Sequence, residues 1–230
     1  MMSTHRKNVI TRGKPLTQTG KALIMVHGRG ASAASILSLS DSLAVSNFTL
    51  LAPQATNQSW YPYSFMAPAA QNQPALDSAL DLLHQTVLDI EAQGIDSSKI
   101  YLLGFSQGAC LTAEYAARHA RRYGGLFIFT GGLIGQQLDF NSYQGDFVQT
   151  PVLITTGDPD PHVPVSRVNE TTQFLTEKGA EVMEKIYLLG FSRGACLTAE
   201  NPARHARRYG GLFIFTGGLI GQQLDFNSYQ

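Results

Sequence analysis

Four times along the chain, short apolar runs give way to glycine-bearing or polar loops and then to apolar positions spaced three and four apart. Ala22-Leu-Ile-Met-Val26 is apolar at every position and too short for a helix, which predicts a strand buried on both faces. His27-Gly-Arg-Gly30 follows it, and residues 31–45 then place Ile36, Leu39 and Leu43 at helical spacing. Residues 48–52 predict a second strand ending at Pro53, and residues 56–73 a polar, aromatic loop that carries the only tryptophan, Trp60. The strongest helical pattern spans residues 74–93. Leu76, Leu80, Leu83, Val87 and Ile90 share one face, Pro74 suits the first turn and Gly94 the C-terminal cap. Further strands are predicted at residues 100–105, 125–130 and 151–156, with helices at 108–121 and about 165–178.

Strands alternating with helices imply an α/β class with a mostly parallel central sheet covered by helices on both faces. In such sheets functional groups gather at the carboxyl ends of the strands, here the loops after Val26, Phe105 and Thr156.

Composition narrows the partners. Seventeen basic and seventeen acidic side chains in 230 residues, with 43% hydrophobic and 15% charged, exclude disorder and provide no field to gather nucleic acid or anionic lipid. A small neutral or mildly polar ligand fits better. The repeated Arg-His-Ala-Arg-Arg reads as a solvated basic face, with no aromatic stripe of the kind that nucleic-acid binding uses. Cys110 and Cys196 make neither a disulfide framework nor a metal site, and no cofactor is implied. The polar segment 1–19 and the lack of any apolar run near ~18 residues give the expectation of a cytoplasmic protein without a membrane span.

An internal repeat changes what these counts mean. Residues 99–144 recur as residues 185–230, 86 positions later, with three differences: Gln107 against Arg193, Tyr115 against Asn201 and Ala116 against Pro202. Solenoid repeats diverge and occur at least three times, so this pair reads as a near-verbatim copy spliced at the shared Lys-Ile-Tyr, whether by recent duplication, an assembly error or deliberate engineering. The second copy holds five basic and two acidic side chains, leaving the first 184 residues with a net charge of −3.

Gly104-Phe-Ser-Gln-Gly108 matches G-x-S-x-G between a predicted strand and a predicted helix. Its glycines permit a sharp turn that projects the Ser106 hydroxyl at the sheet edge, with a helix N-terminus behind it. Upstream, His27-Gly-Arg-Gly30 allows a backbone N–H to face a developing oxyanion. Arg29 and Gln107 are the two expected N–H donors, and His27 is expected to be a hydrogen-bonded structural residue.

Together with Ser59-Trp60 and Gly157-Asp-Pro-Asp-Pro-His-Val-Pro164, these motifs resemble the phospholipase/carboxylesterase group of α/β-hydrolases, which includes acyl-protein thioesterases and small bacterial carboxylesterases. The resemblance runs from about Lys21 to Tyr187. It implies an α/β-hydrolase domain over residues 1–187 and a serine hydrolase acting on a small acyl ester or thioester. Ser106 would be the nucleophile and Asp160 the triad acid, with Asp158 second; otherwise both are turn-forming residues, and His162 a loop histidine facing solvent. Trp60, Tyr61, Tyr63 and Phe65 either line the substrate pocket, with Trp60 as its marker, or cover the sheet.

The triad histidine is missing. The resemblance puts it in a P-G-x-x-H-like segment just after Tyr187, where the duplicated block now begins and Ser192 stands instead. His5, His84 and His119 are badly placed, leaving His205 as the one substitute, in a helix that otherwise reads as a basic face. The alternative is a non-catalytic relative that binds an acyl ligand, or an inactive scaffold. Pro202 would break the helix after the second elbow, and Val182 to Leu189 is expected to be the last, edge strand. Residues 212–215 would then lie outside the sheet as an exposed apolar segment favouring oligomers or aggregation.

Overall fold

The structure, a computed structural model, describes residues 4–191 and 211–215. Its strands are β1 (Val9–Gly13), β2 (Ala22–Val26), β3 (Thr49–Pro53), β4 (Ile100–Phe105), β5 (Gly125–Phe129), β6 (Pro151–Asp158), β7 (Glu181–Phe191) and β8 (Gly211–Phe215). They form one sheet in the order β1-β3-β2-β4-β5-β6-β7-β8. All neighbours are parallel except β1, which runs antiparallel to β3.

The continuous apolar runs arise because both faces of the sheet are covered. In β2, Ala22, Ile24 and Val26 pack on the face that carries α3 (Ala75–Glu91), α4 (Gln107–Arg118) and α5 (Val165–Glu177). Leu23 and Met25 point the other way, onto Ile36 and Leu37 of α2 (Ala33–Leu37). The mostly parallel α/β sheet with helices on both faces is the architecture expected from the sequence. Among the described residues no helix is long and apolar enough to cross a membrane.

Three expectations are corrected. Strand β1 was not foreseen, because its outer-edge position leaves four of its five residues exposed and removes the apolar signal. Helix α2 stops at Leu37 and continues only as a 3₁₀ turn over Ser38–Ser42, leaving Leu39 and Leu43 exposed. Ser38 and Ser40 hydroxyls donate at 2.7 Å to the carbonyls of Ser35 and Leu37, a local competition that weakens a helix. Lastly, β7 is not the edge strand, because β8 pairs beside it and the segment expected outside the sheet extends it. The register Tyr187↔Gly211 to Phe191↔Phe215 repeats Tyr101↔Gly125 to Phe105↔Phe129 of the first copy. Ser192, Pro202 and His205 lie outside the described residues.

Candidate active site

Ser106 sits where β4, in the middle of the sheet, turns into α4. Its backbone has φ 53° and ψ −119°, a conformation that a non-glycine residue holds only when its surroundings impose it. They do so from both sides. Ser106 N–H donates to Phe129 O of β5 at 2.9 Å, and Ser106 O accepts from Ala109 and Cys110 N–H at 2.9 and 3.1 Å. A Cβ at Gly104 would lie 2.6 Å from Ala109 Cα, and one at Gly108 would lie 2.5 Å from His27 O and closer still to Val26 O. Both glycines of the motif are therefore fixed by close approach of backbone to backbone. Ser106 occupies the N-cap position of α4, yet its hydroxyl makes no capping bond.

Gln107 does more than its position in the motif suggested. Its Oε1 accepts from Trp60 N–H at 3.0 Å, while its Nε2 donates to Tyr61 O at 2.8 Å. The side chain thus ties the aromatic loop to the start of α4. The backbone N–H groups of Arg29 and Gln107 have no acceptor among the described residues.

Trp60 does not line the pocket, which corrects the sequence reading. It is fully buried beneath the site, with Nε1 donating to His27 O at 2.7 Å and its ring centroid 4.9 Å from that of His27. The indole N–H needs a buried acceptor, and reaching the carbonyl of the glycine loop directs the ring inward. The cavity at Ser106, about 500 Å³, is instead walled by Arg29, Tyr61, Tyr63, Phe65 and His162. His162 is exposed, as a solvent-facing loop histidine would be, and it also borders this cavity. Cys110 also reaches the wall, and burial pushes its thiol up to about 12.

Asp160 lies in the loop after β6 and is half-buried. Its Oδ1 accepts from His162 and Val163 N–H, both at 2.8 Å. β6 is two strands from β4, about 10 Å at ordinary strand spacing, which leaves room for another side chain between Asp160 and Ser106.

No described histidine ring hydrogen-bonds the Ser106 hydroxyl. His27 is fully buried: Nε2 accepts from Ala55 N–H at 3.2 Å, so Nδ1 carries the proton and donates to Gly28 O at 2.8 Å. Burial lowers its pKa, in keeping with the structural role expected from the sequence. His5 is held in the same way, accepting from Thr56 N–H and donating to Trp60 O, and burial lowers its pKa too. His84 and His119 stack on each other, with ring centroids 4.4 Å apart, away from the cavity.

Comparisons with known proteins agree on the kind of molecule this is. A family model described as Phospholipase/Carboxylesterase matches residues 6–187. Acyl-protein thioesterase 1 of Kluyveromyces lactis is 27% identical over 176 residues, 68% of this chain and 77% of that protein. A probable carboxylesterase SOBER1-like of Arabidopsis thaliana is 26% identical over 121 residues, 53% of this chain and 46% of that protein, so the match spans just under half of that relative. Among solved structures, the phospholipase/carboxylesterase from Dyadobacter fermentans DSM 18053 is 58% identical with a TM-score of 0.80, covering 81% of this chain and 90% of that one.

Proposed function

Because the chain belongs to the phospholipase/carboxylesterase family of α/β-hydrolases, we propose that it is a serine hydrolase of carboxylic esters or acyl thioesters with Ser106 as nucleophile. One observation carries the reading: a strained serine whose hydroxyl is free of any capping bond opens into a 500 Å³ cavity. The N–H groups of Arg29 and Gln107, without an acceptor among the described residues, support an oxyanion hole beside it. In this reading the Ser106 oxygen attacks the carbonyl carbon, the carbonyl oxygen takes the negative charge toward those two donors, and collapse expels the alcohol or thiol. Water then cleaves the acyl-enzyme.

The proton from Ser106 needs a base, and Asp160 is the acid that would orient it. We place the catalytic domain in residues 1–187, with the duplicated residues 188–230 standing where the family's C-terminal segment supplies the histidine. The chain is therefore an impaired hydrolase, with about 10³–10⁴-fold over water left to binding and the oxyanion hole. The substitute proposed from sequence, His205, lies outside the described residues. The substrate is a small acyl compound. Oligomerisation through the tail stays part of this reading, now through β8, which pairs with β7 on one side and is the last strand of the sheet.

A fluorophosphonate probe with peptide mapping tests this. Slow labelling at Ser106, lost in Ser106→Ala, is expected, together with feeble turnover of p-nitrophenyl butyrate. Turnover at the rate of an intact esterase, abolished by Ser106→Ala, overturns the missing-base claim. A complete absence of labelling favours the second reading, a non-catalytic acyl-binding relative or inactive scaffold, which draws on the lack of any described imidazole bonded to Ser106.

A further inference from the structure

Arg29, like Arg122, has no carboxylate partner among the described residues. Arg12, Arg118, Arg121 and Arg167 each pair with a carboxylate. Arg29 pairs with none: its Nη1 donates to Ser59 Oγ at 3.0 Å and Pro62 O at 2.9 Å, and its Nη2 donates to Tyr63 O at 2.7 Å. Its Cζ lies 5.8 Å from the Tyr61 ring centroid. Three neutral acceptors thus fix the guanidinium in place on the cavity wall without neutralising it. The Nε–H and one Nη2–H are left without a partner among the described residues, and two N–H groups are what a carboxylate takes from arginine.

The described residues lining the cavity include no Asp or Glu; Asp160 stands behind the lining residues His162 and Val163, its Oδ1 engaged by their N–H groups. The twelve-residue helix α4 also starts at the cavity, with its N-terminal partial charge toward it. A concave site with an uncompensated cation concentrates anions.

We propose that this cavity takes small esters bearing a carboxylate on their acyl or alcohol part, and that the Arg29 side chain recognises that carboxylate. This departs from the neutral or mildly polar ligand that net charge alone suggested. It rests on the reading of Ser106 as nucleophile only in naming the ligand an ester.

Binding tests it apart from catalysis. In the full chain carrying Ser106→Ala, calorimetry compares methyl hydrogen succinate with methyl butyrate, which is of similar length but uncharged. The hemiester should bind at least about tenfold tighter, the range of a charge-assisted hydrogen-bonded pair, and the advantage should vanish when Arg29→Met is added. Because Arg29 also braces the loop, a second measurement uses the intact pocket: the same advantage should shrink as salt rises from about 0.02 to 0.5 M. Equal affinities, binding of neither ester, a salt-independent preference, or a preference retained in Arg29→Met each overturns the proposal. A loss of the hydrolase reading shows elsewhere, as absent probe labelling of unsubstituted Ser106.

Discussion

Replacing Gly108 by alanine sets two effects of opposite sign against each other. Gly108 is the second residue of α4, and alanine there gains about 1 kcal/mol of helix propensity over glycine. The added Cβ would, however, lie 2.5 Å from His27 O and closer still to Val26 O, where real Cβ atoms stay beyond 3.0 Å. Both obstacles are backbone at the end of β2, a strand buried at all five positions, so neither can rotate away. The start of α4 must retreat by about 0.5 Å or more, and overpacking of that kind costs roughly 1–3 kcal/mol even where side chains share the strain. With backbone on both sides we expect the clash to win, for a net loss of about 2 kcal/mol or more in urea unfolding. The same retreat carries Ser106 and the Gln107 N–H with it, and displacements near 1 Å cost about a hundredfold in rate, so probe labelling should fall at least about tenfold. A variant as stable as the parent and labelled at the parent's rate would show that the close approach at the elbow does not constrain the glycine.

Two further outcomes follow from buried polar groups. Glu114 is 2% exposed, and its carboxylate accepts from Arg118 Nε at 2.8 Å, Tyr143 Oη at 3.0 Å and Ile134 N–H at 3.1 Å. Glu114→Ala strands the last two donors and should cost about 3–5 kcal/mol in urea unfolding, while Glu114→Gln, which keeps an acceptor, should cost clearly less; equal losses would refute the role of the acceptor. His5, His27 and His119 all have pKa values lowered from 6.5, with burial the largest cause. Between the lowered folded value and 6.5 the unfolded chain binds more protons, so stability is full above pH 6.5 and falls as pH drops toward the folded values. The urea midpoint should decline from pH 7.5 to 5.5, as roughly neutral-to-acid bounds of that window, with a shallower slope in His27→Gln; a flat profile in the parent would contradict this.

The sequence made the inner strands legible because two covered faces leave β2 and β4 apolar almost throughout, and it made the elbow legible because glycine is the only residue tolerated at two close backbone approaches. It hid what depends on distant partners. Strand β1 reads as a polar N-terminus until β3 is there to pair with it. Trp60 reads equally as pocket wall or packing until the His27 carbonyl is found beneath the loop to receive its N–H. His162 reads as a solvent-facing loop residue and is exposed, but that it also borders the Ser106 cavity depends on the turn at Asp160. Arg29 looks like a residue valued only for its backbone N–H, since no local pattern foretells that Ser59, Pro62 and Tyr63 will hold its side chain.

The duplication separates a motif from its neighbourhood. β7 repeats the sequence of β4 from Ile186 onward and even repeats its pairing, with β8 beside it in the register that β5 takes beside β4. On its other side the likeness ends. β4 pairs with β2, whose end carries the His27–Gly30 loop, whereas β7 pairs with β6. Four strand spacings separate β2 from β7, about 19 Å, far beyond the reach of an Arg29 N–H or the Val26 and His27 carbonyls that shape the first elbow. The change from Gln107 to Arg193 adds a second obstacle, because arginine has no acceptor for a loop N–H such as that of Trp60. An elbow sequence copied to β7 thus brings neither the Arg29 donor nor the aromatic loop with it, which is why the chemistry is proposed for Ser106.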